Sequence, residues 1–213
     1  RSDLENLARL ARARALLSKR DFAAAEGDAR QIPEGFRFEA TRDDGSADRR
    51  NRLNTTINGG ASDPASQRHA TVAPNMRNLL LNGLRDHRVL VVHEGALAAD
   101  GITRHFRLIK SSGPSAPTVI ARWEEARMII AEACVMTGRM LEAIFVLSDL
   151  RHRVGLPALS PQDARTPDEG VPLLINERLR TFFSEGGHRL RDHLRWREMG
   201  FPVPFLGESG SIH

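Results

Sequence analysis

The sequence contains no tyrosine, one cysteine and few lysines. The shortage of cysteine and of aromatic residues argues against disulfide, metal and sugar-stacking sites. The lone Cys134 cannot form an internal disulfide, and no Cys-x-x-Cys pair is available for metal or redox chemistry. Aromatic residues make up only 5% of the chain, which argues against an extended sugar-stacking surface. No run of about eighteen apolar residues occurs, so no segment of this sequence is predicted to span a membrane.

The net charge of +4 raises the question of nucleic-acid binding, because such proteins are usually basic. The 31 basic residues are nearly all arginines, and they are interleaved with 27 acidic residues. The one local excess, Arg49-Arg50-Asn51-Arg52, has no aromatic neighbour on which a base could stack. The sequence therefore predicts a solvated, arginine-rich surface and no nucleic-acid partner.

The stretch from 117 to 198 organises the chain and opens with a predicted helical hairpin. Gly138 is a natural left-handed stop between its two helices, and Gly155 with Pro157 ends the second. Charged residues of the first helix are expected mostly beside or opposite its buried face, namely Glu124, Glu125, Arg127 and Glu132. Apolar residues at three- and four-residue steps predict that buried face: Trp123, Ala126, Ile130, Ala133 and Cys134. The second helix carries Leu141, Ile144, Phe145, Leu147 and Leu150.

A similar layout occurs near the amino terminus, where two alanine-rich helices flank a polar turn at Lys19-Arg20-Asp21 and end before Pro33. Ser2 or Asp3 is the expected cap of the first helix. When Ala25 is superposed on Ala143, three further pairs coincide: Ala13 with Ala131, Ala15 with Ala133, and Phe22 with Met140. Two helix-turn-helix units with small residues at matching points predict a tetratricopeptide-like arrangement.

The predicted fold is therefore all-α in the main, with tetratricopeptide-like hairpins, long irregular loops and a few short strands in a single domain. Its expected segments are a first hairpin over 1–33, a loop-rich insertion over 34–116, the second hairpin with a following helix over 117–198, and a tail over 199–213. Within the insertion, 36–38, 90–93 and 104–110 predict extended pieces, and 75–84 is weakly helical. Residues 43–66 predict a long loop or a partly disordered insertion, in which Asn54-Thr55-Thr56 matches the Asn-x-Thr glycosylation pattern. Helix is expected to resume after Val171-Pro172.

Two sets of polar residues near the end of the chain could carry chemistry. Ser184, His188 and Asp192 are spaced by four, as the members of a hydrolase triad on one helical face would be. No Gly-x-Ser-x-Gly turn presents the serine, and Gly186-Gly187 interrupts the face, so no catalytic residue and no enzyme activity is predicted. Glu185, His188, Asp192 and His193 lack the spacing of a metal site, and neither a metal nor another cofactor is predicted.

A structural role fits these residues better. Arg178, Glu185, Arg189, Asp192 and Arg195 alternate in sign at spacings that permit bidentate arginine–carboxylate pairs. Such pairs would fix this segment against the preceding hairpin. Trp123 and Trp196 could stack on a sugar, but both lie within helical apolar patterns, which favours burial. Cys134 is likewise predicted to be a buried small hydrophobe.

The order of these motifs resembles the carboxy-terminal part of the SusD/RagB family. EARMIIAEA is followed by a glycine turn, then LxxLRxRxGLP, a loop, and ERxRxxFxEGxxR before an aspartate and an Arg-Trp pair. The earlier LARARALLSKRDFAAAEGDARQIPEGFRF is similar to that family's preceding helical pair. The resemblance departs in three places. No lipoprotein signal ending in cysteine is present, the amino-terminal half is expected to be missing, and Glu-Gly-Gly-His-Arg has one residue more than the usual form.

The resemblance implies a nutrient-binding lipoprotein on the outer face of an outer membrane, held by a lipid anchor absent from this chain. It implies two partners: a TonB-dependent, SusC-like β-barrel transporter, and an oligosaccharide or peptide ligand. No ligand-binding residue can be carried over, so those residues are not assigned. The alternative is a soluble tetratricopeptide-like adaptor that binds protein segments in a concave groove.

Overall fold

The computed structural model describes residues 2–59, 68–201 and 203. Helices predominate, which confirms the mainly helical fold. The α-helices of the described part are α1 (Asp3–Ser18), α2 (Phe22–Ala29), α3 (Arg52–Ile57), α4 (Trp123–Met136), α5 (Met140–His152), α6 (Pro167–Thr181) and α7 (His188–Glu198). The strands are β1 (Arg37–Ala40), β2 (Leu80–Leu81), β3 (Leu84–Arg85), β4 (Val91–Val92), β5 (Arg107–Leu108) and β6 (Thr118–Arg122). They form three two-stranded sheets, in which β1 pairs with β6, β2 with β3, and β4 with β5.

The chain forms two compact units. The helical unit comprises Arg1–Phe38 and Val119–Val203, and the loop-rich unit is built from Glu39–Thr118. The single-domain organisation inferred from the sequence stays a prediction. No helix in the described ranges has both the length and the apolar composition needed to cross a bilayer.

The first hairpin forms where the sequence predicts it. Ser2 caps α1 in a reciprocal capping box, because its hydroxyl accepts from the Glu5 amide at 3.3 Å while Glu5 accepts from the Ser2 amide at 3.0 Å. Asp21 caps α2 by accepting from the Ala24 amide at 3.1 Å. Ala13 and Ala25 are buried where the two helices pack, so the backbones can approach closely.

The second hairpin also forms as predicted, with Gly138 in the left-handed region at φ 75° between α4 and α5. The repeat correspondence holds in part. Ala131 and Ala143 are buried like their counterparts in the first hairpin, whereas Ala133 is buried and its counterpart Ala15 is exposed.

The burial of α4 and α5 differs from the expected faces. Glu132 and Glu125 of α4 are fully or almost fully buried rather than beside the apolar stripe, because arginines from α7 and α1 reach them. On α5, Leu141 and Phe145 are 71% exposed, because α5 packs on α4 and α6 through its opposite face. That inner face includes Ala143, Ile144 and Leu147, and it completes the core.

The helix after the loop starts earlier than the sequence analysis predicts. Thr166 caps α6 by accepting from the Glu169 amide at 3.3 Å, and Pro167 follows at the first helical position, where its missing N–H costs nothing. Pro172 therefore lies inside α6 and does not begin it. The cap overrides the signal that a proline usually gives for a helix start.

The loop-rich unit holds its shape through short elements. The predicted extended pieces at 36–38, 90–93 and 104–110 contain β1, β4 and β5 residues, respectively. The weak helix expected over 75–84 is wrong. A hairpin of β2 and β3 occupies its second part, since Asn82 and Gly83 adopt φ values of 49° and 79°, which suit a two-residue hairpin turn.

Three buried asparagines on one face of α3 and its ends tie the unit together. Asn51 donates to the Ala116 carbonyl at 2.8 Å, and Asn54 donates to the Ser111 carbonyl. Asn58 donates to the Leu108 and Ser111 carbonyls at 2.8 Å each and accepts from the Leu108 amide at 2.7 Å. Within the stretch 43–66 that was expected as a loop, Arg52–Ile57 therefore forms a helix that side-chain amides anchor, and residues 60–66 lie outside the described residues. Since Asn54 is buried and bonded, its Asn-x-Thr pattern is not an accessible glycosylation site.

Candidate functional site

The carboxy-terminal helix α7 is fixed to the helical unit by buried ion pairs. Asp192 accepts two hydrogen bonds from Arg178 of α6, both at 2.8 Å. Arg195 donates to the two carboxylate oxygens of Glu132 on α4 at 2.8 and 2.9 Å. Trp196 donates through Nε1 to the same Glu132 carboxylate at 3.3 Å. The expected bidentate pairing is confirmed between Arg178 and Asp192. Arg195 instead makes its bidentate pair with Glu132, which was not among the expected partners.

The electrostatics of this network follow from mutual compensation. Burial alone would raise the pKa of Asp192, but Arg178 and Arg195 outweigh it, and the pKa lies below its ordinary value. Likewise, burial would lower the pKa of Arg178, and the Asp192 and Glu132 carboxylates raise it instead. Asp192 and Arg178 therefore both stay charged, and their opposite charges stabilise each other although both side chains are buried.

Two more arginine–carboxylate pairs surround the network. Arg14 of α1 donates to both oxygens of Glu125 on α4, which ties the first hairpin to the second. Arg122 donates to Glu185 at 2.9 and 3.2 Å. Glu185 therefore pairs with Arg122 at the end of β6.

A cavity of about 140 Å³ lies in the helical unit where α1, β6, α4 and the start of α7 meet. Four arginines and two carboxylates line it, together with apolar side chains and the Gly186-Gly187 backbone. The charged lining residues are Arg14, Arg178, Arg191, Arg195, Glu125 and Asp192. Counting these side chains alone, the lining carries an excess of two positive charges.

The amino terminus of α7 opens on this cavity. Gly187, at φ 84°, precedes the helix and provides no capping side chain, and the first turn contains no acid. A Cβ built on Gly186 or Gly187 would meet no atom within 4 Å, so the backbone here borders open space. The first amides of a helix have no acceptor within it, so their partial positive charge faces the cavity region.

The structure does not assemble the hydrolase triad. Ser184 lies in the turn after α6 at φ 57°, outside α7, so it does not share a helical face with His188 and Asp192. The His188 ring stacks on Phe182 at 4.2 Å, and burial lowers the pKa of His188. Both Asp192 oxygens are engaged by arginines. These groups act as packing and ion-pair residues in this geometry.

The residues considered for a metal are also used otherwise, since Glu185 and Asp192 pair with arginines. A group the sequence analysis did not single out, Glu26, Cys134 and Glu142, places its ligand atoms within 4.8 Å of one another. Both carboxylates in it accept from Arg30 and Arg139. Burial raises the pKa of the Cys134 thiol to about 12, so the thiol stays protonated. The group is therefore an ion-pair cluster beside Cys134. The burial predicted for Cys134 is confirmed.

The two tryptophans have different environments. Trp196 is fully buried, as predicted, and bonded to Glu132. Trp123 is half-buried, and the Arg153 and Arg127 guanidinium groups lie 4.4 and 5.5 Å from its ring. Its ring is therefore covered by cation–π contacts from its own unit. The Arg49–Arg52 run is likewise paired, since Arg49 and Arg50 contact Asp43 and Asp44.

Comparisons with known proteins agree with this architecture. A sequence profile of the SusD family matches residues 105–203. The crystal structure of a SusD superfamily protein from Bacteroides vulgatus ATCC 8482 has a TM-score of 0.57 and 15% identity, covering 90% of this chain and 51% of that one. Two structures named BT4246 are 36% and 32% identical, covering 39% and 48% of this chain and 14% and 16% of theirs, with TM-scores of 0.35 and 0.36. No curated protein matches the chain.

The helical unit is built on two helical hairpins, and the chain shares its fold with the B. vulgatus protein. Residues 105–203 are similar in sequence to the SusD family. The chain spans about half the length of the B. vulgatus protein, 51%, and a smaller share of the others.

Proposed function

We propose that this chain is part of a nutrient-binding protein that captures an oligosaccharide or a peptide at the cell surface. The observation that carries the proposal is the family match over residues 105–203, which contain the α4–α5 hairpin, α6 and α7. In the full-length protein a lipid anchor would hold it on the outer face of the outer membrane. A TonB-dependent, SusC-like β-barrel transporter would receive the ligand.

The proposed mechanism is capture and transfer without bond chemistry. The polar groups that could have formed a catalytic centre are used to hold α7, since Asp192 pairs with Arg178 and His188 stacks on Phe182. Buried ion pairs give a rigid scaffold, and a rigid scaffold lowers the entropic cost of presenting binding loops.

Co-purification from the native host tests the proposal. The full-length protein is tagged, membranes are isolated, and the proteins recovered with the tag are identified by mass spectrometry. We expect a lipid-modified protein in the outer-membrane fraction, together with a large β-barrel transporter. Treating intact cells with protease should remove the tagged protein while a periplasmic control protein survives. A soluble protein recovered with cytosolic partners would contradict the proposal and favour the adaptor alternative.

A further inference from the structure

The cavity between α1, α4 and the start of α7 has features that the packing of the helices does not require. Its charged lining is unbalanced, with four arginines against two carboxylates. Arg14, Arg178 and Arg195 have carboxylate partners. Arg191 is exposed on α7 and has no ion-pair or hydrogen-bond partner for its side chain within the described ranges. One guanidinium group at the cavity is therefore left for something else to bind.

The first turn of α7 breaks the usual charge rule for helices. Acids are favoured at the positive amino end of a helix and cations at its carboxyl end. Here Arg189 and Arg191 stand in the first turn, no acid accompanies them, and Gly187 offers no capping oxygen. Arg189, like Arg191, has no ion-pair partner in the part of the chain that the structure describes. The positive charges of these two side chains and the partial positive charge of the first helix amides repel one another. A bound anion would offset that repulsion.

A third donor lies deeper in the cavity wall. Arg178 is buried, and its Nε and Nη2 are bonded to Asp192. Its Nη1 is buried without a hydrogen-bond acceptor among the described residues and lies 3.5 Å from Glu132, an ionic contact without hydrogen-bond geometry. Arg178 therefore keeps a donor in the cavity wall that the described residues do not satisfy by a hydrogen bond.

We propose that this cavity binds a small oxyanion, either a free ion or the acidic group of a sugar. Arg191 and the first amides of α7 would hold the anion, with Arg178 adding positive potential from the wall. A volume of about 140 Å³ suits one carboxylate or sulfate group and is smaller than the pockets that enclose whole drug-sized ligands. The excess of positive lining charge disfavours a cation. The inference rests on the local geometry and does not depend on the nutrient-binding role.

Thermal unfolding of the full-length protein tests the inference. The melting temperature is measured in sodium sulfate, sodium glucuronate and sodium chloride at matched ionic strength, with glucose as the neutral sugar. A ligand that binds only the folded state raises the melting temperature, so we expect a rise of about 3 °C or more in sulfate or glucuronate over chloride. Glucose should have no effect.

Two variants with the same charge change locate the site. Arg191→Gln should abolish most of the anion-dependent rise, while Arg197→Gln, at an exposed position in the last turn of α7, should keep it. In chloride, Arg191→Gln should be as stable as the unmodified protein or more so, because it relieves repulsion at the helix terminus.

The anion series also separates the two sources of the ligand. A rise in both anions identifies a free oxyanion group as sufficient, and a rise in glucuronate alone identifies an acidic sugar. Either result supports the proposal. Equal melting temperatures in all salts would overturn it, as would an anion response that survives Arg191→Gln or a fall in the stability of that variant in chloride.

Discussion

Arg195 of α7 donates two hydrogen bonds of 2.8 and 2.9 Å to Glu132 of α4, although the two residues are 63 positions apart in the chain. The side chains are 5% and 0% exposed. A buried charge is tolerated only where a partner compensates it. The pair therefore sets where the last helix lies on the second hairpin, and Asp192 and Trp196 extend the same contact.

Removing the Glu132 charge should destabilise the protein strongly. In Glu132→Gln, the buried Arg195 loses its bidentate countercharge and keeps only a single bond to Asp192, which Arg178 already engages. We expect a loss of about 3–5 kcal/mol in the free energy of unfolding. Urea denaturation followed by circular dichroism measures it. Glu124→Gln is the matched control, since that side chain is 39% exposed on the same helix, and it should cost less than about 1 kcal/mol. Similar losses in the two variants would show that the buried pair is not the main constraint.

The stability of the first hairpin should depend on pH through Asp28. Arg12 donates to both oxygens of Asp28 at 2.6 Å, and this hydrogen bonding lowers the pKa of Asp28. A carboxylate with a depressed folded-state pKa stabilises the protein above its unfolded pKa of about 3.9, and this stabilisation is lost as the pH falls through the folded value.

Asp28→Asn should therefore lower the urea midpoint at neutral pH, and its gap to the unmodified protein should close as the pH falls below about 3.9. Asp48→Asn, at a side chain that is 96% exposed, serves as the control and should match the unmodified protein throughout. A gap for Asp28→Asn that is constant with pH would mean that Asp28 acts through packing rather than through its charge.

Asn58 should protect the Leu108 amide from exchange. The side-chain oxygen of Asn58 accepts from that amide at 2.7 Å, and its side-chain NH₂ donates to the Leu108 and Ser111 carbonyls at 2.8 Å each. Asn58→Ala removes the side-chain acceptor of the Leu108 amide and one donor to each of the two carbonyls, although Asn54 still donates to Ser111. We expect a cost of about 1–3 kcal/mol and faster hydrogen exchange at Leu108. Thr56→Ala changes an exposed neighbour on α3 and should leave the exchange rate as it is. Unchanged protection in Asn58→Ala would contradict the anchoring role.

Cys134 should be unreactive until the protein unfolds. Burial raises the pKa of its thiol to about 12, so the reactive thiolate is scarce at pH 8, and the side chain is enclosed by the core. Labelling with a thiol reagent should proceed at the unfolding rate in buffer and rapidly in urea. Because the sequence has no other cysteine, the signal reports this site alone. Rapid labelling of the folded protein would place Cys134 outside the core.

The sequence predicts what is encoded locally. The cap at Ser2, the left-handed Gly138 and the three- to four-residue apolar spacing each follow from a few neighbouring residues, and the structure confirms them. The predicted start of α6 was wrong, because the helix begins at a local cap, Thr166, and not after the more prominent Val171-Pro172 pair.

Ion-pair partners that are distant in the sequence could not be predicted from residue spacing. Glu132 and Glu125 look like surface acids until Arg195 and Arg14, from helices distant in sequence, are placed against them. The cavity is formed by α1, β6, α4 and α7 together, so no single stretch of sequence announces it. One local signal was available: the run His188 to Arg191 puts cations, and no acid, after a double glycine.

Ligand capture without chemistry is the central claim, and recovery of intact ligand tests it most directly. The full-length protein is immobilised and exposed to defined oligosaccharide and peptide mixtures, and both the retained and the unretained molecules are identified by mass spectrometry. We predict that a subset of one mixture is retained and eluted unchanged, equally by the unmodified protein and by Ser184→Ala. Shortened products that disappear in Ser184→Ala, or no retention of any sugar or peptide, would contradict the account.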